Sequence, residues 1–178
     1  MLPSVILVNG SFGVGKTSVT REIRRRVQGS AIYDPELAGL VMQRLCRLAG
    51  RKVGDFQDLA LWRRSVAAGV RLSRALARGP VLVPMTFSSV DYLSYVLSGI
   101  RAFEPDVRVF CLTASLDTIR GRIRHRGDAV EGPTASWMLR RTEECVRAHE
   151  DPRFGERVDT EGRSVNEVAD RILTELKR

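Results

Sequence analysis

The chain has 178 residues, of which 43% are hydrophobic and 28% charged, enough for one domain with a sizeable aliphatic core and a poor fit to two independent ones or to global disorder. No run approaches the ~20 consecutive apolar residues that span a bilayer, and residues 1–8 lack the charged start and long apolar core of a signal peptide, so a soluble, cytoplasmic protein is expected. The formal charge of +8 points either to a polyanionic partner, such as nucleic acid, nucleotide or an anionic membrane surface, or to a solvated arginine-rich exterior, since Lys16, Lys52 and Lys177 are the only lysines.

Val5-Ile6-Leu7-Val8 is a continuous apolar run of the kind buried on both faces of a parallel sheet. After a glycine-rich turn, Val19, Ile23 and Val27 recur at helical spacing from Lys16 onward, and Gly29 stops the pattern. Ala31-Ile32-Tyr33 predicts a short strand, and Asp34-Pro35 opens a helix over Glu36 to Leu48. Gly50 to Gly54 breaks it. A longer helix is predicted from about Phe56 to Arg78, with Leu59, Trp62, Val66, Val70 and Leu76 on one side and Gly79-Pro80 closing it. Strands follow at Val81 to Val83 and Val107 to Leu112, around a helix near Tyr92 to Phe103. Pro84 is expected at the very end of its strand, because proline cannot donate to a ladder. Ser115 caps a helix carrying Leu116, Ile119 and Ile123. Gly127 to Pro133 reads as a mobile loop, followed by a helix over about Ala135 to Glu150. Arg157 to Thr160 is the last strand, and Ser164 with Glu167 forms a capping box for the terminal helix. Five short strands alternating with helices predict a three-layer α/β fold on a parallel sheet, a single domain over 1–178.

Gly10-Ser11-Phe12-Gly13-Val14-Gly15-Lys16-Thr17 matches G-x-x-x-x-G-K-S/T in full, between a predicted strand and a predicted helix. Glycines at those places let backbone N–H groups converge on phosphate, and the helix start favours negative charge. Lys16 reaches β- and γ-phosphates, Thr17 offers its hydroxyl to a bridging Mg2+, and Ser18 follows on the same loop, so ATP and Mg2+ are the expected cofactors. Asp34 ends the second strand and so faces the same carboxyl-end crevice. It either accepts a proton from a substrate hydroxyl or merely caps the following helix. Asp34 is the best carboxylate available, since Val81 to Thr86 ends in threonine.

Arg120 with Arg124, and Arg122 with Arg126, form two stripes on one predicted helix. Forked guanidiniums there would bind phosphate and stabilise its transfer, or else remain solvated surface; Arg140 and Arg141 are weaker candidates. Trp62 is core or ligand contact, and Arg63 beside it meets a polar substrate or water. His125 and His149 have no partner spacing. Cys46, Cys111 and Cys145 are odd in number and unpaired in spacing, as small buried apolar residues are.

Beyond that motif, Tyr33-Asp34-Pro35-Glu36, Asp55-Phe56-Gln57, Leu61-Trp62-Arg63, Val83-Pro84-Met85-Thr86 and Asp159-Thr160 with Ser164 and Val168 resemble the tunicamycin-resistance ATP-binding proteins along nearly the whole chain. More distantly the chain is similar to chloramphenicol phosphotransferase, shikimate kinase and nucleoside monophosphate kinases. The resemblance implies a P-loop NTPase fold of nucleoside-kinase-like form, with strand order 2-3-1-4-5 and a lid at about 120–140. It implies ATP on residues 10–18 with Arg122 and Arg126, and an adenine-contacting loop at Gly162, Arg163 and Ser164. Lys16, Asp34, Arg120 and Arg124 would then be catalytic, and Asp34, Trp62, Arg63 and Thr86 would meet the substrate. The implied ligand is tunicamycin, a uridine-containing lipid-linked antibiotic. The family's founding type carries a C-terminal amphipathic segment beyond the terminal helix of this chain, which puts membrane association in doubt; a homodimer stays open.

Three functions follow as expectations: a small-molecule kinase conferring antibiotic resistance, a nucleotide-gated protein that sequesters the drug, or a nucleoside or nucleotide kinase of ordinary metabolism. Nucleic acid ranks last as a partner, because no stacking aromatics accompany the arginines.

Overall fold

The computed structural model describes residues 2–50, 54–125 and 133–178, with side chains for all of these except 133–137. Its first strand, β1 (Val5–Gly10), is buried at every position. β1 runs parallel to β3 (Val81–Met85) on one side and to β4 (Val107–Thr113) on the other, with Val5 opposite both Val81 and Val107. The short β2 (Ala31–Ile32) pairs with β3, and β5 (Glu156–Asp159) with β4, so the order is β2-β3-β1-β4-β5. The P-loop NTPase topology expected from the sequence is thus the observed one.

Side-chain alternation along β1 divides the interior in two. Val5 and Leu7 join a core completed by α3 (Ala60–Leu76) and α4 (Val90–Arg101). Ile6 and Val8 join the opposite core, against α1 (Lys16–Arg26), α5 (Leu116–His125) and α7 (Val165–Glu175). Each such aliphatic side chain withdrawn from water contributes about 1.5–3 kcal/mol. The remaining helices are α2 (Pro35–Leu48), whose Leu37, Val41, Leu45 and Leu48 face solvent, and α6 (Pro133–Ala148).

Two expectations change. The predicted helix from Phe56 to Arg78 divides into a 3-10 turn at Phe56–Asp58, capped by Asp55, and α3. Trp62, Val66 and Val70 carry its buried stripe, whereas Leu76 at its end is 78% exposed. Pro84 lies inside β3, opposite Val8. Ala31 N donates to Pro80 O and Tyr33 N to Leu82 O, so even-numbered residues of β3 turn their backbone groups toward β2. β2 has already ended where Pro84 would need a partner, and the missing N–H costs no ladder bond. Boundaries elsewhere move by one or two residues. The loop read at Gly127 to Pro133 lies outside the described residues except for its last, which opens α6.

Candidate functional site

Residues Gly10 to Thr17 link the carboxyl end of β1 to α1. Gly13 (φ 75°) and Gly15 (φ 109°) take the left-handed region that side chains disfavour. Their surroundings differ. A Cβ on Gly13 would stand 2.7 Å from Ile123 Cγ1, so α5 packs tightly on the loop there. A Cβ on Gly15 would meet nothing within 4 Å, which leaves that side open to a ligand. Gly15 also occupies the N-cap of α1 with no side-chain cap bond. The amides of the first turn therefore point at the mouth of the loop, where an anion is favoured by about 0.3–1 kcal/mol at an exposed helix end. Lys16 is 9% exposed, and its Nζ donates to Ser11 O at 2.9 Å, lying 5.7 Å from the centre of the Phe12 ring. Thr17 is exposed beside it.

Arg122 ties this loop to the segment after β5. Its Nη1 donates to Val14 O at 3.2 Å and Thr160 Oγ1 at 2.9 Å, and its Nη2 to Thr160 O at 2.7 Å. A recess of about 140 Å³ opens here, between Gly15 and Ser18 on one wall and Arg122, Thr160 and Arg163 on the other. Gly162 turns the chain at φ 60°. Ser164 spends its hydroxyl on the capping box, accepting from Glu167 N at 3.3 Å while Ser164 N donates to Glu167 Oε2 at 2.7 Å.

On the other side of β1, Asp34 follows β2 and its Oδ1 accepts from Glu36 N at 3.0 Å, capping α2. The capping reading of Asp34 is therefore the observed one, and the residue also sits at the same carboxyl-terminal edge of the sheet as Lys16. Thr86 extends beyond β3, with its N donating to Glu36 Oε1 at 3.1 Å and its O accepting from Gln57 Nε2 at 2.9 Å. Trp62 is fully buried and donates from Nε1 to Pro35 O at 3.0 Å. Of its two readings, core and ligand contact, the burial matches the core one: it holds the start of α2 from beneath. Arg63 donates to Gln57 O and lies 4.6 Å from the Tyr92 ring centre, so it braces the wall of the crevice.

The arginine stripes are also partly engaged by protein. Arg120 pairs with Glu143, which links α5 to α6. Arg124 is exposed at the end of α5, and Arg126 lies outside the described residues. Arg141, a weak candidate in the sequence, bridges Asp55 Oδ2 and Ser88 Oγ at 2.6 Å each and Glu144 at 2.9 Å.

Sequence reasoning missed a buried joint behind the P-loop. Asn9 Oδ1 accepts from Phe87 N at 2.8 Å, and its Nδ2 lies 3.5 Å from His149 Nε2. That nitrogen is 2.7 Å from Phe87 O, so the ring donates there. Burial holds the His149 pKa below its usual 6.5, and nearby Lys16 pushes it the same way. The imidazole is thus neutral at neutral pH and locks α6 to the segment after β3. Only the polar Asn9, interrupting an apolar strand just before Gly10, hinted at it. Cys111 and Cys145 lie buried nearby, and desolvation raises their thiols to about 12 and about 11. They are protonated, apolar residues, as their spacing suggested, whereas Cys46, read the same way, is only partly buried.

A five-stranded parallel sheet in this order, with the complete phosphate-loop motif at the carboxyl end of its central strand, defines a P-loop protein of kinase-like fold. Residues 5–144 match the family model described as an AAA domain, and the chain belongs to that family. It is similar to the Deinococcus radiodurans tunicamycin resistance protein, at 26% identity over 98% of this chain and 95% of that one, with a TM-score of 0.75. A gluconokinase from Sinorhizobium meliloti 1021 shares the fold at 21% identity, 99% and 93% coverage and a TM-score of 0.70. So does a shikimate kinase from Acinetobacter baumannii, at 14% identity, 99% and 93% coverage and a TM-score of 0.61. No curated protein sequence matches the chain at the same stringency. No helix among the described residues is long and apolar enough to cross a membrane.

Proposed function

We propose that the protein is an ATP-dependent phosphotransferase that modifies an alcohol group of a nucleoside antibiotic of the tunicamycin type, acting in the cytoplasm and without nucleic acid. One observation carries this reading: Lys16 and Thr17 at the mouth of β1 and Asp34 beyond β2 share the carboxyl-terminal edge of one parallel sheet. The likeness to a tunicamycin resistance protein supports the choice of acceptor. The residues present suit a magnesium nucleotide. Gly15 leaves open space where a phosphate would approach, the first amides of α1 face it, and the recess beside Arg122 and Arg163 suits a planar base.

When bound, MgATP supplies the γ-phosphoryl group, which bonds to the acceptor oxygen as the β,γ-bridging oxygen leaves with ADP. Lys16, released from Ser11 O, would neutralise β- and γ-phosphate charge, and Thr17 would hold the metal through its hydroxyl. Asp34 would orient the acceptor hydroxyl and take its proton. Arg120 and Arg124 are the arginines proposed to meet the transferring group, and Arg122 and Arg126 those proposed to bind ATP.

A sequestering protein without transfer is the second reading, favoured by the use of Asp34 as a helix cap. Mass measurement after incubation with tunicamycin, ATP and Mg2+ separates them. A gain of one phosphoryl group, lost in Lys16→Ala and Asp34→Asn, supports transfer. Binding of unmodified drug, with resistance kept in Asp34→Asn and lost in Lys16→Ala, refutes it. Uridine and UMP in the same assay test for a metabolic kinase, which rapid turnover on either would identify.

A further inference from the structure

The acceptor side of the crevice contains a polar cluster that neither the P-loop nor Asp34 accounts for. Gln57 is 3% exposed and Thr86 1% exposed, and their Gln57 Oε1 and Thr86 Oγ1 are buried without a hydrogen-bond partner among the described residues. Both residues are otherwise held firmly. Gln57 donates from N to Asp55 Oδ1 at 2.9 Å, accepts at O from Arg63 and donates from Nε2 to Thr86 O at 2.9 Å. Thr86 donates from N to Glu36 Oε1 at 3.1 Å. Because Thr86 O can only accept, the amide nitrogen of Gln57 must face it. Gln57 Oε1 is therefore presented as an acceptor that requires a donor.

Charge narrows the partner further. Glu36 and Asp55 hold the backbone N–H groups of Thr86 and Gln57, with Arg63 on Gln57 O and Arg141 on Asp55 as the cations. Both cations are engaged: Arg63 on Gln57 O and the Tyr92 ring, Arg141 on Asp55 and Glu144. Phe56 and Phe87, the chain neighbours of Gln57 and Thr86, pack on Trp62 with centroid spacings of 5.0 and 6.3 Å, and an apolar setting strengthens any electrostatic mismatch.

We propose that Glu36, Gln57 and Thr86 form a specificity subsite that takes hydroxyl or N–H donors of a neutral acceptor and rejects carboxylate-bearing ones. A hydroxyl or imide N–H satisfies Gln57 Oε1 while its oxygen or a neighbouring carbonyl meets the Thr86 hydroxyl. A carboxylate in that place brings only acceptors and leaves Gln57 Oε1 unmet, and a hydroxy acid that turns a hydroxyl to Gln57 Oε1 still adds negative charge beside Glu36. Sites built around a buried hydrogen bond discriminate strongly against ligands that cannot complete it. Both oxygens are closed to bulk solvent, which keeps water from competing for them.

The subsite rests on the reading of this crevice as the acceptor site, and the test separates the two. Calorimetric titrations with uridine, tunicamycin, gluconate and shikimate would be run with and without a non-hydrolysable ATP analogue, alongside thermal melts. Thr86→Val replaces the hydroxyl by a methyl and keeps both backbone bonds. At least one neutral probe should bind tenfold or more tighter than either acid. Thr86→Val should weaken that probe at least tenfold, with Thr86→Ser restoring it, while affinity for the analogue and the Tm do not fall. Acids binding as tightly as neutral probes, a change below twofold in Thr86→Val, or no binding by any probe would overturn the subsite. A buried water as sole partner gives the twofold result together with a shifted Tm, and so overturns it as well. Loss of analogue binding in the wild type would instead refute the nucleotide reading, and the titrations without analogue would still decide the subsite.

Discussion

Arg122→Ala isolates the bond between the P-loop and the segment after β5. The guanidinium makes three contacts, at 3.2, 2.9 and 2.7 Å, all to neutral oxygens. A hydrogen bond from a charged donor contributes about 1.5–3 kcal/mol, and the bonds of one side chain do not add fully. Some acceptors keep other partners: Arg163 N still reaches Thr160 O at 3.3 Å, and Thr160 Oγ1 still donates to Thr113 O at 3.1 Å. The half-exposed guanidinium also recovers hydration when the chain unfolds. We therefore expect a loss of about 2–3 kcal/mol, which for a domain of this size is about 4–12 °C in Tm. Arg122→Lys, which keeps the charge but cannot fork, should recover less than half. Differential scanning fluorimetry reads both variants, and titration with ATP reads the recess. A fall below 2 °C in the alanine variant, or a lysine variant indistinguishable from wild type, would refute the assigned role of the forked geometry.

Gly13→Ala should cost about 2–3 kcal/mol, since it combines a positive φ with a Cβ pressed to 2.7 Å from the buried Ile123; chemical denaturation with an unchanged midpoint would contradict it. His149 predicts an acid-side loss of stability. Its folded pKa lies below the unfolded value near 6.5, so below that pH the unfolded chain binds a proton that the folded one refuses. Its stabilisation is complete above about pH 6.5 and declines as the pH falls toward the depressed folded value. Wild type should therefore lose more Tm between pH 7 and 5 than His149→Gln, and equal losses would show that the buried ring is not the titrating group.

While the strand order came from the family resemblance, the phosphate loop, the strands of the parallel sheet and the capping box of α7 were all legible along the chain. Each is local: a motif of eight consecutive residues, an apolar period, a Ser and a Glu three apart. The place of Asp34 was legible as well, because Asp-Pro after a short apolar strand marks both the strand's carboxyl end and the start of a helix. Only the tertiary structure decided which arginines are engaged by protein, since Arg122 finds Thr160 38 residues away and Arg141 finds Asp55 86 residues away. The same holds for Asn9 with His149, 140 residues apart, and for Gln57 with Thr86, 29 apart. Periodicity reports which face of an element is apolar. It carries no record of which polar residue the packing brings opposite another, nor of where β2 stops, which is what admits Pro84 inside β3. Sequence alone determined a nucleotide-binding loop on a parallel sheet; folding decided which side chains support that loop and which remain to meet a ligand.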